Sequence, residues 1–324
     1  MSLLFKTDVV YTGIAQAKHI LELLITPQDK LDYMNKMLSS VKATSNYLTI
    51  NNADDVVTSL LSHVRAVQSK GAKALSLPYT LKAIIFVMQH GLQNSDFIAL
   101  SPDFGVSYSD VTGNVLKIYS LNGGDFYNHT EFFSVGKPDG FNVLRNRLAS
   151  PSPIVAYNTI GGFEFTNGII LGNCVDITAA GGGTFTELRD IAAFNTAIGA
   201  KLAINATASS SNATISIPTT SENAVGYSKQ IVLGDQNSHR AAGVVSAYHY
   251  GSVDSKIFFN GSTILANTES SGMLSLSSKK VTPVLIGRGL TSNIIEMWFI
   301  DSNSDSIAVA LSNHLNRKNM LQAT

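Results

Sequence analysis

Charge is scarce in this chain. Acidic and basic residues make up 14% of it, against about 25% in an ordinary soluble domain. The 23 acidic and 23 basic side chains cancel to a formal net charge of zero. A surface of that kind repels itself little and tolerates close packing against copies of itself or other neutral proteins. It lacks the basic excess with which a nucleic-acid binder neutralises phosphates, so no nucleic-acid partner is expected. Cysteine is nearly absent as well. Cys174 alone excludes an intrachain disulfide, and its apolar setting, IILGNCVDI, reads as a small buried hydrophobe. Long apolar runs are missing: the longest, Ala83–Met88, falls far short of the ~20 residues that cross a bilayer, and no membrane span is expected. The opening MSLLFKTDVV, with Lys6 and no sustained apolar run, does not read as a signal peptide, so the product is expected to be made in a cytoplasm.

Glycine is scarce in the front of the chain only. Of the 25 glycines, Gly13, Gly71 and Gly91 precede Ser101 and the rest follow it. Glycine weakens helices and supplies the turns that many short strands need, so residues 1–100 read as a helical region and residues 101–324 as a β region. In the front, Ile14, Ala17, Leu21 and Leu24 mark a first helix. Thr26-Pro27-Gln28-Asp29 reads as an N-cap, a proline at the first helical position and an acid at the positive end of the dipole. It opens a helix with Leu31, Met34, Leu38 and Val41 on one face. Asn52-Ala53-Asp54-Asp55 opens a third, apolar at Val56, Val57, Leu60, Leu61, Val64 and Val67 and ending at Lys70-Gly71; Thr80 would cap a fourth over Leu81–His90. Each is amphipathic and needs a covering surface, either its neighbours or other subunits. His19, His63 and His90 are scattered singly without metal-ligand spacing.

The back shows period-2 alternation broken by tight turns, clearest over Lys256–Asp301. KIFFNG reads as a strand, STILANTESSG as turn and small residues, and MLSLSS, TPVLIGRG and NIIEMWFID as strands. Ile257 with Phe259, Leu274 with Leu276, Val284 with Ile286, and Ile295 with Met297 and Phe299 share faces. Upstream, Val115–Tyr119 runs into the turn Leu121–Asp125. Thr159–Leu171 reads strand, Asn-Gly turn, strand, and Thr186–Ile198 reads as a short helix or loop. Asn205–Ile217 reads as an exposed strand pair or loop, and Tyr227–Leu233 and Gly243–Tyr250 as strands. Ten to twelve strands in all suit a jelly-roll sandwich. The four Asn-x-Ser/Thr sequons, at Asn128, Asn205, Asn212 and Asn260, reflect the Asn/Ser/Thr richness of the chain rather than glycosylation.

Three segments of this region resemble the concanavalin-like (laminin-G-like) jelly rolls of bacteriophage virion proteins. VLKIYSLNGGDF (Val115–Phe126) is similar to their opening strand and Gly/Asn/Asp-rich turn. TIGGFEFTNGIIL (Thr159–Leu171) resembles a strand pair in which Phe163 and Glu164 stand where Pro and Ala are usual. FFNGSTILAN…TPVLIGRG (Phe258–Gly289) resembles a hairpin bearing Asn-Gly followed by an LxIGRG run, and Trp298–Ile300 with Ala308–Leu321 resembles the terminal strand and closing helix. The resemblance covers about residues 105–324 and leaves the first hundred unmatched. It implies an α+β chain, with a helical N-terminal region that anchors and assembles (1–100) and an antiparallel β-sandwich (101–324) displayed outward. The setting it implies is a virion, as a tail, fibre, baseplate or capsid-surface component. The expected partners are copies of itself, other virion proteins and a bacterial surface glycan.

Sugar faces stack on exposed aromatics. The single tryptophan, Trp298, sits mid-strand between Met297 and Phe299, where a core role is expected. The candidates for glycan contact are therefore Tyr248 and Tyr250 in SAYHYG, although alternation puts either that pair or His249 inward. Asp301-Ser-Asn303-Ser-Asp305 has alternate acids but lacks the later glycine and glutamate of a Ca²⁺ loop, and reads as a solvated turn. A glycosidase would need two facing carboxylates. Glu164, Asp176 and Glu296 are the strand carboxylates to consider, and nothing in the sequence pairs them. Gly181–Gly183 and Gly287-Arg288-Gly289 lack the form of a phosphate loop. No catalytic residue, cofactor or metal is expected. The alternative to a virion structural role is a polysaccharide-binding or polysaccharide-degrading protein on the same sandwich.

Overall fold

The computed structural model describes residues 14–128, 133–137, 140–146, 156–158, 163–177, 183–190, 197–206, 211–218, 225–234, 240–249, 255–267, 281–288 and 292–320. Four helices open the chain: α1 (Ile14–Leu23), α2 (Pro27–Ser40), α3 (Ala53–Ser69) and α4 (Leu77–Gln89). Thr26 caps α2 as predicted, its Oγ1 accepting the Asp29 N–H at 3.2 Å. The start of α4 differs from expectation. The helix begins at Leu77, with Pro78 in its first turn, and Thr80 Oγ1 donates to the Ser76 and Asp103 carbonyls instead of capping. Proline fits a helix only in its first turn, which is what sets this start.

The strands are β1 (Phe97–Leu100), β2 (Val106–Tyr108), β3 (Val115–Tyr119), β4 (Asp125–Asn128), β5 (Phe133–Gly136), β6 (Val143–Asn146), β7 (Ala156–Asn158), β8 (Gly168–Ile177), β9 (Gly183–Asp190), β10 (Ala197–Ala206), β11 (Ser211–Pro218), β12 (Val225–Gly234), β13 (Gly243–His249), β14 (Ser255–Phe259), β15 (Ser262–Asn267), β16 (Val281–Arg288) and β17 (Ser292–Ile300), followed by helix α5 (Asp305–Leu315). Seventeen described strands exceed the ten to twelve expected. The excess is in pieces such as β2 and β7, too short for alternation to register. STILAN, read as turn, is β15, and Thr186–Ile198, read as helix or loop, holds the end of β9 and the start of β10. Leu274 and Leu276 lie outside the described residues.

The strands form an antiparallel β-sandwich, as the sequence predicts. One layer is an eight-stranded sheet in the order β15-β14-β13-β8-β17-β6-β5, with β1 also paired to β17. The facing layer consists of a five-stranded sheet, β12-β11-β10-β9-β16, and a four-stranded sheet, β2-β3-β4-β7. Ile169, Leu171, Val175, Val244, Ile257, Met297 and Phe299 of the first layer meet Leu188, Leu202, Ile204, Ile118 and Phe126 of the second in one buried cluster. The β14–β15 hairpin turns on Asn260 and Gly261, both at positive φ (49° and 84°), as an Asn-Gly type I′ turn requires.

The other face of the eight-stranded sheet is not open to solvent. α4 and α5 cover it, through Tyr79, Ala83 and Phe86 from α4 and Ala308, Leu311 and Leu315 from α5, packed on Ile170, Cys174, Val245, Phe258 and Trp298. Every residue of β8 is consequently buried. α5 lies almost on the backbone: a Cβ at Gly243 would stand 1.9 Å from the Ser312 carbonyl oxygen, so only glycine permits this approach. The remaining helical faces cover one another, with Met34, Leu38, Val57, Leu60, Leu81 and Ile85 in a second cluster. Of the two coverings open to the amphipathic helices, the chain supplies its own. The expected boundary at 100/101 falls at the end of β1, a strand of the sandwich itself.

β17 shows how one residue resets a face. The sequence puts Ile295, Met297 and Phe299 on one side, but a bulge between Ile294 and Glu296 breaks the register against β8. Ile295 joins the helix-side cluster while Met297 and Phe299 point into the sandwich. The carbonyl that the bulge displaces accepts a hydrogen bond from Ser101 Oγ at 2.8 Å.

Candidate functional site

Most of the residues singled out in the sequence are structural. Tyr248 is 1% exposed and points into the sandwich beside Val244 and Ile257, so its ring offers no stacking surface to a sugar; Tyr250 lies outside the described residues. Alternation allowed either the tyrosine or the histidine to face inward, and the structure places Tyr248 there. Trp298 is fully buried, 5.6 Å from the Phe97 ring and 5.1 Å edge-on from Phe86, and Cys174 is fully buried too. The Asp301–Asp305 turn starts a helix: Ser304 Oγ caps α5 by accepting the Ile307 N–H, and Asp305 pairs with Lys256. Of the three candidate carboxylates, Asp176 is buried and bonded by Arg240 Nε at 2.8 Å, Glu296 is buried on the helix side, and Glu164 is exposed in a loop. The fold does not bring them together.

Glu296 anchors a buried ion cluster that no spacing in the sequence announces. Its Oε1 accepts from Trp298 Nε1 at 2.6 Å and from His314 Nε2 at 2.8 Å, and its Oε2 accepts from Arg317. Arg317 also donates to Asp103 Oδ2 at 3.2 Å, and its guanidinium lies 3.9 Å over the Tyr79 ring. Asp103 Oδ1 accepts from Asn142 at 2.7 Å, and Lys82 Nζ donates to the His314 carbonyl. Burial alone would raise the Glu296 carboxyl, but Arg317, His314 and Lys82 hold it well below the usual carboxylate range. Burial raises Asp103 despite Arg317. It also lowers His314 to about 4, against the pull of Glu296, and Lys82 to about 8. His314 is thus a neutral imidazole at pH 7, donating its Nε2–H to a carboxylate. The cluster joins α4, the β1–β2 loop, β17 and the segment after α5, with Asp103, Glu296 and Arg317 at its buried centre. Charges so enclosed hold parts of a fold together.

Two open clefts are lined by described residues. One, of about 370 Å³, lies between α4 and α5 and is lined by Lys82, His90, Asn313 and His314. Lys82 and His314 are already engaged in the ion cluster. The second, of about 560 Å³, lies at one end of the sandwich, where the turn before β1, the β3–β4 turn, the loop before β8 and the end of β17 converge. Its rim is made of amides and hydroxyls: Asn94, Ser95, Asn122, Thr166 and Asn167, with Glu164 among them. Asp301 stiffens the floor. Its carboxylate accepts from Thr166 Oγ1 at 2.6 Å and from the backbone N–H groups of Asn167 and Gly168 at 2.7 and 3.2 Å. Asp96 Oδ2 accepts the Gln93 N–H at 2.8 Å and its backbone carbonyl accepts the Asp301 N–H at 2.7 Å. Asn122 Nδ2 ties the β3–β4 turn to the Asn94 carbonyl at 3.2 Å. Concave and lined by convergent polar groups, this cleft can offer hydrogen bonds to a polar molecule. The Asn-Gly and Gly-Asp turns that build it are visible in the sequence, but their convergence is not. Among the described residues no three His, Cys, Asp or Glu side chains gather as a metal site requires, and no helix is long and apolar enough to cross a membrane.

No family model and no curated protein matches the sequence. Solved structures with partial likeness include the binding domain of botulinum neurotoxin serotype D, at 9% identity and a TM-score of 0.40 over 71% of this chain and 52% of that one. The sialidase of Trypanosoma rangeli gives 9% and 0.41, over 70% of this chain and 33% of that one. The CBM40 module of a Ruminococcus gnavus sialidase, bound to α2,6-sialyllactose, gives 13% and 0.32, over 46% of this chain and 84% of that one. This chain spans about half the length of the neurotoxin domain it resembles. Likeness at this level is that of one β-sandwich to another and assigns no residue a role.

Proposed function

We propose that this chain is a non-catalytic β-sandwich component of a bacteriophage particle that contacts bacterial surface glycan through the cleft at the end of its sandwich. The cleft carries the reading: a pre-formed concavity whose rim presents amide and hydroxyl groups suited to sugar hydroxyls. Binding fits it better than cleavage. A glycosidase needs two carboxylates free to act on one bond, and here Asp301 and Asp96 have their oxygens engaged by neighbouring N–H and O–H groups. The particle setting is supported by the low, balanced charge and by the segments that resemble virion jelly rolls. Leu23, at the end of α1, and Ile25, just before α2, are exposed and are candidate contacts to further copies or neighbours. Two experiments test the reading. The full chain is assayed on an array of bacterial surface polysaccharides, where retention that Asn94→Ala and Glu164→Ala weaken supports the cleft, and no retention overturns the glycan role. Immunogold electron microscopy of phage particles with antibodies to the chain tests the setting.

A further inference from the structure

The lining of the end cleft is one-sided in charge. Asp96, Glu164 and Asp301 all contribute to it, and among the described residues no lysine or arginine lines it. Lys70 reaches the outside of the β3–β4 turn, where its Nζ donates to the Gly123 carbonyl at 3.2 Å, but it is already paired with Asp125 at 2.8 Å. The three acids are not equivalent. Asp301 and Asp96 hold the floor, each carboxylate accepting several hydrogen bonds. Glu164 is exposed at the rim and, among the described residues, makes no hydrogen bond or ion pair. It is a carboxylate held in a polar concavity with its acceptor capacity unspent.

Resting on the glycan reading above, we infer that the cleft selects its sugar by charge, taking amine-bearing glycans ahead of neutral ones and rejecting carboxylated ones, with Glu164 as the discriminating residue. A ligand ammonium meets Glu164 at an exposed site, where a pair contributes up to about 1 kcal/mol, or about fivefold in affinity. A ligand carboxylate meets three negative groups and, among the described residues, no cation, and like charges brought together in a concavity set up the exclusion that specificity requires. The neighbouring amides and hydroxyls of Asn94, Asn122 and Thr166 then serve the hydroxyl groups common to all three classes.

The test is biolayer interferometry on the full chain with three probes: glucosamine oligomers, the same oligomers N-acetylated, and galacturonic acid oligomers, at mildly acidic pH where the amine is charged. The expected order is amine over N-acetyl by about fivefold, no retention of the galacturonate, and a preference that shrinks as salt rises. Glu164→Gln keeps shape and hydrogen bonding, and should bring the amine and N-acetyl affinities together. Galacturonate bound as well as the N-acetyl oligomer, or an amine preference that survives Glu164→Gln, overturns the charge selection while the glycan reading stands. Failure to retain any oligomer overturns both.

Discussion

Trp298 and Glu296 stand two residues apart on β17, and the indole Nε1–H donates to the carboxylate at 2.6 Å. Side chains at i and i+2 share a strand face, so this bond fixes a charge on the helix side of the sheet, beneath α4. Phe86 of α4 packs on the same indole, and His314 and Arg317, from beyond the sandwich, reach the same carboxylate. One strand position thereby ties the helical front of the chain to its end.

Arg317 should be the costliest side chain to remove. Arg317→Met leaves Glu296 and Asp103 buried with one cation fewer, and breaking a buried pair costs roughly 3–5 kcal/mol. Urea unfolding followed by the emission of the single tryptophan, Trp298, reports it directly. Adding Glu296→Gln to that variant should restore part of the loss, and a double variant less stable than Arg317→Met would show that the carboxylate is not what Arg317 compensates.

Stability should fall on mild acidification. His314 is held neutral in the fold, with its imidazolium lowered to about 4, while in the unfolded chain it titrates near 6.5. Between those values the unfolded state binds the extra proton, so stability present above pH 6.5 drains away as pH falls toward 4, by on the order of 3 kcal/mol. Glu296, held low in the fold, adds a further loss below its ordinary value of 4.5. Melting temperatures across this range give the slope. His314→Gln, whatever its effect at neutral pH, should flatten the upper part of it, and an unchanged slope in that variant would assign the acid sensitivity elsewhere.

Asn173 offers a change in the opposite direction. It is fully buried on the sandwich side of β8, opposite Val244 and Met297, and both its amide atoms lack hydrogen-bond partners. An unpaired buried amide costs about 1–3 kcal/mol. Asn173→Val, β-branched and suited to a strand, should therefore raise the unfolding midpoint. A lowered midpoint would mean that the amide is satisfied in solution, as by a buried water.

Periodicity revealed the helices α1 to α3, the strands β3 and β14, and the Asn260-Gly261 turn, because these depend on residues close in sequence. It misassigned β15 and the start of α4, where the deciding features were a ladder partner and a first-turn proline. The phase of β17 also misled, because the bulge at Ile295 is a property of pairing with β8. Of the candidate site, Glu164 was visible only as an isolated strand carboxylate, and Tyr248 was favoured for a surface it does not reach.

The sequence by itself determined the class of this protein: a helical front, a turn-rich β region and a balanced, thinly charged surface, all of them consequences of local propensity and composition. Tertiary structure alone decided that α4 and α5 cover the second face of the main sheet, that Asp103, Glu296 and Arg317 meet in the interior, and that separate turns converge on one acidic cleft. Those arrangements include a hydrogen bond between residues 232 positions apart, and a short-range pattern carries no information about pairings closed only when sheets stack and helices settle on them.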